Sequence, residues 1–423
     1  MLQVSYIRDN REQVLERLAV KNFKQAGLVD EILQLDDKRR STQTSLDNVS
    51  AEANAAAKQI GELMRTGKKD EAENLKAKTG SWKEEIKKSG DALAAIEEAL
   101  YQKIVLLPNL PHSSVPKGVT PEENETVLEN GTKPTLPANA LPHWELAAKY
   151  NMIDFELGVK ITGAGFPVYK GKGAKLQRAL ISFFLDEAEK AGYNEVMLPL
   201  MVNEASGFGT GQLPDKEGQM YFVGADNLYL IPTAEVPITN LYRDVILKAD
   251  ELPVKNCGYT PCFRREAGSY GAHVRGLNRL HQFDKVEIVQ VVHPDTSYTV
   301  LEQMSAHVQS LLQKLELPYR VLRLCGGDMS FASALTYDME TWSAAQQRWL
   351  EVSSVSNFET FQSNRLKLRF RNAEGKTQLA HTLNGSALAL PRIVATLLEN
   401  NQTENGIKVP EVLVPYTKFE WIN

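Results

Sequence analysis

The sequence predicts an α+β chain in two parts, a long helical hairpin followed by a compact body that mixes strands with helices. Three observations carry this reading. Heptad-spaced apolar and small residues recur in two runs between Leu28 and Leu100, prolines crowd between Pro108 and Pro142, and beyond them helical periodicity alternates with short period-two runs. A length of 423 residues supports two or three domains.

The first run is Leu28, Ile32, Leu35, Arg39, Thr42, Leu46, Val49, Ala53, Ala56, Ile60 and Leu63, and the second is Ala72, Leu75, Thr79, Trp82, Ile86, Ser89, Leu93, Ile96 and Leu100. Steps of four and three sustained this long describe a coiled coil. Arg65-Thr66-Gly67-Lys68-Lys69-Asp70 lies between them as a polar turn, so the simplest geometry is an antiparallel two-helix arm about 55 Å long at 1.5 Å per residue. Polar and Ala seam positions, with Gly80 and Gly90, make the seam narrow. An arm reaching a distant partner and a dimerising coiled coil both fit this pattern. Lys58, Arg65, Lys68 and Lys69 near the tip, and Lys38, Arg39 and Arg40 lower down, suit RNA phosphates or a solvated face equally.

The boundaries expected are an N-terminal domain at 1–107, a linker and entry segment at 108–142, and a body at 143–423. In the body, residues 173–190 have helical periodicity ending at Gly192. A strand over Asn194–Val202 follows, and Pro199 inside it assigns it to an edge or interface. Residues 337–342 read as another strand.

Charge and composition exclude several classes. Net charge is −5, so no global basic field advertises a nucleic acid, and any RNA contact must use local patches. The N-terminal residues have no apolar signal core and no stretch approaches a membrane span. Three cysteines without CxxC spacing suit a reducing cytoplasm, and seven scattered histidines give no expectation of zinc. Gly375-Lys376-Thr377 lacks the upstream glycine of a P-loop, Gly207–Gly211 does not open a helix, and no serine sits in a G-x-S-x-G elbow.

The densest chemistry lies in residues 259–289. A strand delivers Phe263, then Arg264 and Glu266 on one side by alternation. A basic loop with Gly268, Gly271, Gly276, Arg275 and Arg279 follows, and a second strand carries Phe283, Asp284, Lys285 and Glu287. An arginine fork for phosphate and an aromatic ring for a base suit a nucleoside triphosphate. Elsewhere, Thr233 is placed to cap a helix with Glu235 in its first turn. Glu351 and Ser353 are expected on opposite faces of a strand, with Ser354 opening a turn. A carboxylate and a hydroxyl this close can hold a hard divalent cation that keeps its waters and bridges phosphates. Leu383-Asn384-Gly385-Ser386 leads through Ala387 and Pro391 to Arg392 and an apolar helix.

Phe-Arg-x-Glu with its variable loop resembles motif 2 of the class II aminoacyl-tRNA synthetases, and Arg-x-Glu-Ala-Gly-Ser…Arg-Gly-Leu…His-Gln-Phe resembles the seryl-tRNA synthetases. Helix, strand and Pro199 are similar to motif 1, the dimer element. Thr233-Ala234-Glu235 is similar to a serine-contacting loop, Glu351-Val352-Ser353-Ser354 to a metal and ATP segment, and residues 383–392 to motif 3, although Ala387 and Pro391 stand where glycines are common. The resemblance spans the chain in the family's order.

It implies a body with an antiparallel sheet flanked by helices, a homodimer, and adenylation of L-serine by ATP with Mg2+, followed by transfer to tRNA(Ser). It leaves tRNA(Sec) open as a second acceptor. The implied ATP-binding residues are Arg264 on the α-phosphate, Arg265, Glu266 on the adenine edge, Phe283 and Arg392 sandwiching the ring, and Glu351, Val352, Ser353 and Ser354. Glu351 and Ser354 hold the metal, Arg279 meets phosphate or the serine carboxylate, and Arg264 and Arg279 form the implied catalytic pair. Serine is held by Thr233, Ala234, Glu235, Glu287, Asn384 and Ser386. Two rivals are a related enzyme charging a non-tRNA acceptor, against which the arm argues, and a coiled-coil interaction protein with a decayed body, against which Arg264, Glu351 and Arg392 argue.

Overall fold

The computed structural model describes residues 1–215, 218–266, 271 and 274–423, in two units. Gly268, named above in the basic loop, lies outside the described residues.

The first unit, Met1–Ala19 with Phe23–Pro108, is helical. Its long helices are α1 (Gly27–Arg65) and α2 (Lys69–Ile104), joined through Thr66, Gly67 and Lys68. Gly67 takes φ +77, the left-handed conformation that lets a helix end and the chain reverse. Every seam position named above is buried or half-buried, which confirms the heptad register. Full burial is confined to Leu28, Val29, Ile32, Asp36 and Ala56 on one helix and Ala72, Leu93, Leu100 and Ile104 on the other. Asp36, 1% exposed, accepts from Arg8 at 2.6 Å and Arg39 at 2.9 Å. Burial pushes its carboxyl up, but those two guanidinium groups bring it below the usual range.

The second unit, Val20–Asn22 with Asn109–Asn423, is built on an eight-stranded sheet. Its strands are β1 (Glu125–Asn130), β2 (Asn194–Glu195), β3 (Val254–Phe263), β4 (Gln282–Val292), β5 (Tyr319–Arg323), β6 (Leu335–Ser343), β7 (Arg348–Glu359) and β8 (His381–Ala389), in the order β1-β5-β6-β7-β8-β4-β3-β2. All neighbours run antiparallel except β2 against β3, so the implied antiparallel sheet is present. Helices α3 (Gly171–Lys190), α4 (Glu235–Asn240), α5 (Ser297–Lys314), α6 (Thr360–Leu366) and α7 (Leu390–Asn400) complete the frame.

Period two divides the sheet into faces. Val286, Ile288, Val355 and Leu383 join one core with Leu180, Phe183 and Phe184 of α3, Leu301 and Met304 of α5, and Ile393 and Leu397 of α7. On the opposite face Val289 meets Ala234 and Ile238. Lys285 and Glu287 share the face of Val289, and the candidate site forms there.

Four expectations change. Residues 109–142 do not stay a bare linker: Asn109 donates to the Ala332 and Phe358 carbonyls at 2.9 and 2.8 Å, and β1 closes one sheet edge against β5. The strand expected over 194–202 is two short ones, β2 at the opposite sheet edge and Met201–Val202 in another sheet, with Pro199 between them. β3 ends at Phe263 and Glu266 has φ +48, so alternation does not place Arg264 and Glu266. Ser354 opens no turn, because β7 continues to Glu359.

Candidate functional site

Antiparallel register brings the first cluster together. Glu287 on β4 lies opposite Ser386 on β8, and Val289 lies opposite Asn384, so the three polar residues line one face of two paired strands. Asn384 Nδ2 donates to Glu287 Oε1 at 3.0 Å, and Lys285 Nζ pairs with Glu287 Oε2 at 2.6 Å. Lys285 Nζ also donates to Thr233 Oγ1 at 2.8 Å, whose hydroxyl lies 3.4 Å from Glu287 Oε2. Thr233, Lys285, Glu287 and Ser386 are buried, Glu287 completely, and Asn384 is half-buried. A charge taken out of water must be paired and hydrogen-bonded, and here it is.

Thr233 is not the cap expected: Ala234 holds that position without a side-chain bond, and Thr233 one residue earlier accepts from the Glu235 N–H at 3.3 Å. Glu235, 6% exposed, accepts from Gln362 Nε2 at 2.6 Å, and Gln362 Oε1 accepts from Thr382 at 2.7 Å. Burial pushes the Glu235 carboxyl up to about 7, and Glu287 adds to that, against the pull of Gln362, Lys285 and Arg264. Two buried carboxylates beside one lysine can receive a further cation carrying hydrogen-bond donors, such as an ammonium group.

The second cluster surrounds Phe283. Arg264 donates its Nε to the Pro232 carbonyl at 3.3 Å, and its guanidinium carbon lies 5.3 Å from the Phe283 ring centroid. That stack leaves the rest of its fork for an anion. Glu266 is bonded to Arg279, so these two hold each other. Arg265 is exposed and bonds through its main-chain N–H to the Gln219 carbonyl at 2.8 Å. Arg392, in the first turn of α7 beside Pro391, donates Nε to the Asn278 carbonyl at 3.0 Å and Nη1 to the Glu351 carbonyl at 2.8 Å. β8 runs straight into α7 with no intervening turn, and Pro391 falls where a missing N–H costs nothing.

The third cluster is on β6 and β7. Strict alternation would put Glu351 and Ser353 on one face. A register shift, with Glu340 opposite Glu351 but Met339 opposite Ser353, separates them. Glu351 is exposed, while Val352 and Ser353 are buried and Ser353 Oγ donates to the Ser386 carbonyl at 2.5 Å. Asp338 sits opposite Ser354, and its Oδ1 is buried without a hydrogen-bond partner. Burial first, then the neighbouring Glu351, holds its carboxyl well above the usual range. Among the described residues, no three or more His, Cys, Asp or Glu side chains are arranged as a metal group. A cation that keeps its waters and shares phosphate oxygens needs fewer protein ligands, and the orphaned Asp338 oxygen beside Glu351 and Ser354 fits one.

Sequence reasoning missed Lys285, Gln362 and Asp338. Lys285 was legible from alternation with Glu287 and Phe283. Gln362 and Asp338 carried no local signal.

Residues 1–111 match the seryl-tRNA synthetase N-terminal domain, and residues 221–401 match the tRNA synthetase class II core domain (G, H, P, S and T). The serine–tRNA ligase of Salinibacter ruber is 52% identical over 99% of this chain and 98% of its own length. That of Akkermansia muciniphila is 46% identical over 98% and 97%. Among solved structures, the seryl-tRNA synthetase of Pyrococcus horikoshii complexed with ATP superposes with a TM-score of 0.94 at 32% identity, covering 100% of this chain and 99% of that one. The cytoplasmic serine–tRNA ligase of Naegleria fowleri in complex with AMP gives 0.89 at 26% identity, covering 100% and 99%. The chain belongs to the seryl-tRNA synthetase family, the ATP-dependent serine–tRNA ligases among the class II aminoacyl-tRNA synthetases.

Proposed function

We propose that this chain activates L-serine with ATP and transfers it to the 3′ end of tRNA(Ser), with the buried Glu235, Glu287, Lys285 and Thr233 cluster as the observation that carries the reading. In the first step a carboxylate oxygen of serine attacks the α-phosphorus and pyrophosphate leaves with the electrons of the broken P–O bond. In the second a 3′-terminal hydroxyl of tRNA attacks the carbonyl carbon and AMP leaves. Serine's carboxylate is already a nucleophile, so the protein's work is alignment and charge stabilisation.

Thr233, Ala234 and Glu235 form one wall of the serine pocket, and Glu287, Asn384 and Ser386 form the other. Glu235 takes the ammonium and Glu287 with Ser386 takes the hydroxyl, while Lys285 pairs with Glu287 from the side. Arg264 binds the α-phosphate, and its stack on Phe283 supports that placement. Adenine lies between Phe283 and Arg392, with Glu266 on its edge. Arg279 exchanges Glu266 for phosphate or the serine carboxylate, and Arg265 lends positive charge from the exposed rim. Class II chemistry with ATP uses a divalent cation. Glu351 and Ser354, with Asp338 beside them and Val352 and Ser353 framing them, would hold Mg2+, which neutralises phosphate charge when bound.

Residues 1–107 serve as the tRNA-binding domain and 143–423 as the catalytic domain, joined through 108–142. The protein works as a homodimer in the cytoplasm, a reading supported by exposed Val159, Ile161, Met197, Met201 and Phe222 and by three free cysteines. Identity to serine–tRNA ligases over 99% of the chain favours this reading over a non-tRNA acceptor or an interaction protein. The test is pyrophosphate exchange into ATP with serine, threonine, alanine and cysteine, followed by charging of tRNA(Ser) and tRNA(Sec). Exchange that does not depend on serine overturns the reading.

A further inference from the structure

A buried ring of hydrogen bonds lies away from both proposed substrates. His143 and Glu399 are each 0% exposed. The His143 main-chain N–H and its Nδ1–H both donate to Glu399 Oε1, at 3.0 and 2.7 Å. Its Nε2 accepts the Leu277 N–H at 2.9 Å, which fixes the tautomer with the proton on Nδ1. Gly276 makes this approach possible: it takes φ +68, and a Cβ there would lie 2.3 Å from His143 Nε2.

The ring closes through the next residue. Asn278 Nδ2 donates to Gln346 Oε1 at 2.9 Å, and Gln346 Nε2 donates to Glu399 Oε1 at 3.0 Å and to Ser343 Oγ at 2.9 Å. Ser343 in turn donates to Glu399. Burial would raise the Glu399 carboxyl, but the donors from His143 and Ser343 bring it below the usual range. Both oxygens of the Glu399 carboxylate are satisfied, which makes the centre of the ring rigid, while Asn278 Oδ1 stays buried without a hydrogen-bond partner. Its output is the Asn278 carbonyl, which accepts Arg392 Nε at 3.0 Å. Arg392 and Glu399 are both on α7 and lie about two turns apart, on one helix face. The ring therefore grips that helix at Glu399 and its arginine through the 277–278 backbone.

We propose that His143 is a positioning residue for the nucleotide, acting through Leu277 and the Asn278 carbonyl to fix the Arg392 guanidinium. This rests on the reading of Arg392 as an adenine-stacking group. His143 is sealed from solvent and touches no proposed substrate atom, so its effect must pass through Arg392. A displacement on the order of 1 Å in a positioning group costs up to about 10²-fold in rate.

The experiment measures serine-dependent pyrophosphate exchange in the full-length protein with His143→Asn, Glu399→Ala, Glu399→Gln, Gln346→Met and Arg392→Ala. His143→Asn and Glu399→Ala should raise KM for ATP about tenfold while KM for serine stays within about twofold. Glu399→Gln keeps an acceptor for His143 and should restore most of the loss. If the His143 and Glu399 variants do not fold, the half-buried Gln346→Met should show the same ATP-selective rise in smaller measure. Folded variants with both KM values unchanged, or with both raised by one factor, overturn the inference. An unchanged KM for ATP in Arg392→Ala would instead bring down the adenine reading, while a rise there without one in His143→Asn defeats only the role of His143.

Discussion

Glu235 and Glu287 are buried and held by groups from paired strands and helices, whereas Arg279, Glu266, Arg392 and Glu351 are partly exposed and hold one another. In the proposed serine half, sheet register places Lys285 and Asn384, the turn into α4 places Thr233 and α6 places Gln362, and all four are already bonded where a small amino acid would need them. In the proposed nucleotide half the charges are paired with each other across loops and a helix start, so a nucleotide must exchange those partners. The first half is set for selection against near-isosteres, the second for binding charge that comes and goes.

The largest effect expected from this contrast is discrimination between serine and alanine. A buried site that pairs a hydroxyl leaves polar groups unsatisfied when it is missing, so kcat/KM should differ by about 10⁴ or more. Comparable values would break the assignment of Glu287 and Ser386 together. On the nucleotide side, Arg264→Ala should cost about 3–4 kcal/mol in the adenylation barrier while the protein stays folded. Exchange within about threefold of the parent would remove Arg264 from the phosphate.

A deletion of Arg40–Gly90 with a short flexible replacement spares Val29, Ile32 and Asp36 at the arm's root, and it should leave both halves alone. Pyrophosphate exchange should persist near the parent rate, and tRNA charging should fall by more than about 10²-fold with loss of its salt dependence. Loss of both activities with dissociation to monomers in ultracentrifugation would make the arm a dimerisation element instead.

Protonation sharpens the contrast further. Glu235 sits near 7 and must be ionised to take an ammonium, so KM for serine should rise about tenfold per unit as pH falls below that value, while KM for ATP stays flat. Its folded value lies above the ordinary 4.5, so its contribution to stability is full below about 4.5 and is lost as pH rises through about 7. Glu235→Gln should flatten melting temperature against pH in that window, and an unchanged slope would assign the effect elsewhere. The smallest effect belongs to the Glu266–Arg279 pair: Glu266 is 11% exposed but Arg279 is 45% exposed and screened by solvent, so Glu266→Gln should change stability by less than about 1 kcal/mol. A larger loss in a denaturant titration would show that the nucleotide half is more rigid than its loops suggest.

What was legible in the sequence was local. The heptads of the arm and the strand carrying Phe283 and Glu287 express periods of a few residues, and both appear where expected, while the helix after Thr233 starts one residue later than its capping pattern implied. The misses share a cause in contacts distant along the chain. Gln362 reaches Glu235 across 127 positions, and Asp338 gains its meaning only when register sets it opposite Ser354. Residues 125–130 looked like linker because all six side chains are exposed, so the strand is held by backbone pairing and shows no apolar alternation. The register shift at Val352 left no composition signal, yet it alone separates Glu351 from Ser353.

Gly385 lies between Val355 and Ile288 in neighbouring strands, and a Cβ there would come within 3.1 Å of the valine. β8 is thus pressed between β7 and β4 at the point where it presents Asn384 and Ser386. The spacing along the pocket's sheet wall, from Glu287 to Asn384 and Ser386, is then set by the sheet at about 4.8 Å per strand rather than by the reach of a movable loop. An engineer seeking a different amino acid cannot widen that wall by loosening a hinge. The accessible changes are replacements of single side chains at Thr233, Asn384 and Ser386, whereas altered nucleotide tolerance can be sought by varying charge at Arg265, Glu266, Arg275 and Arg279.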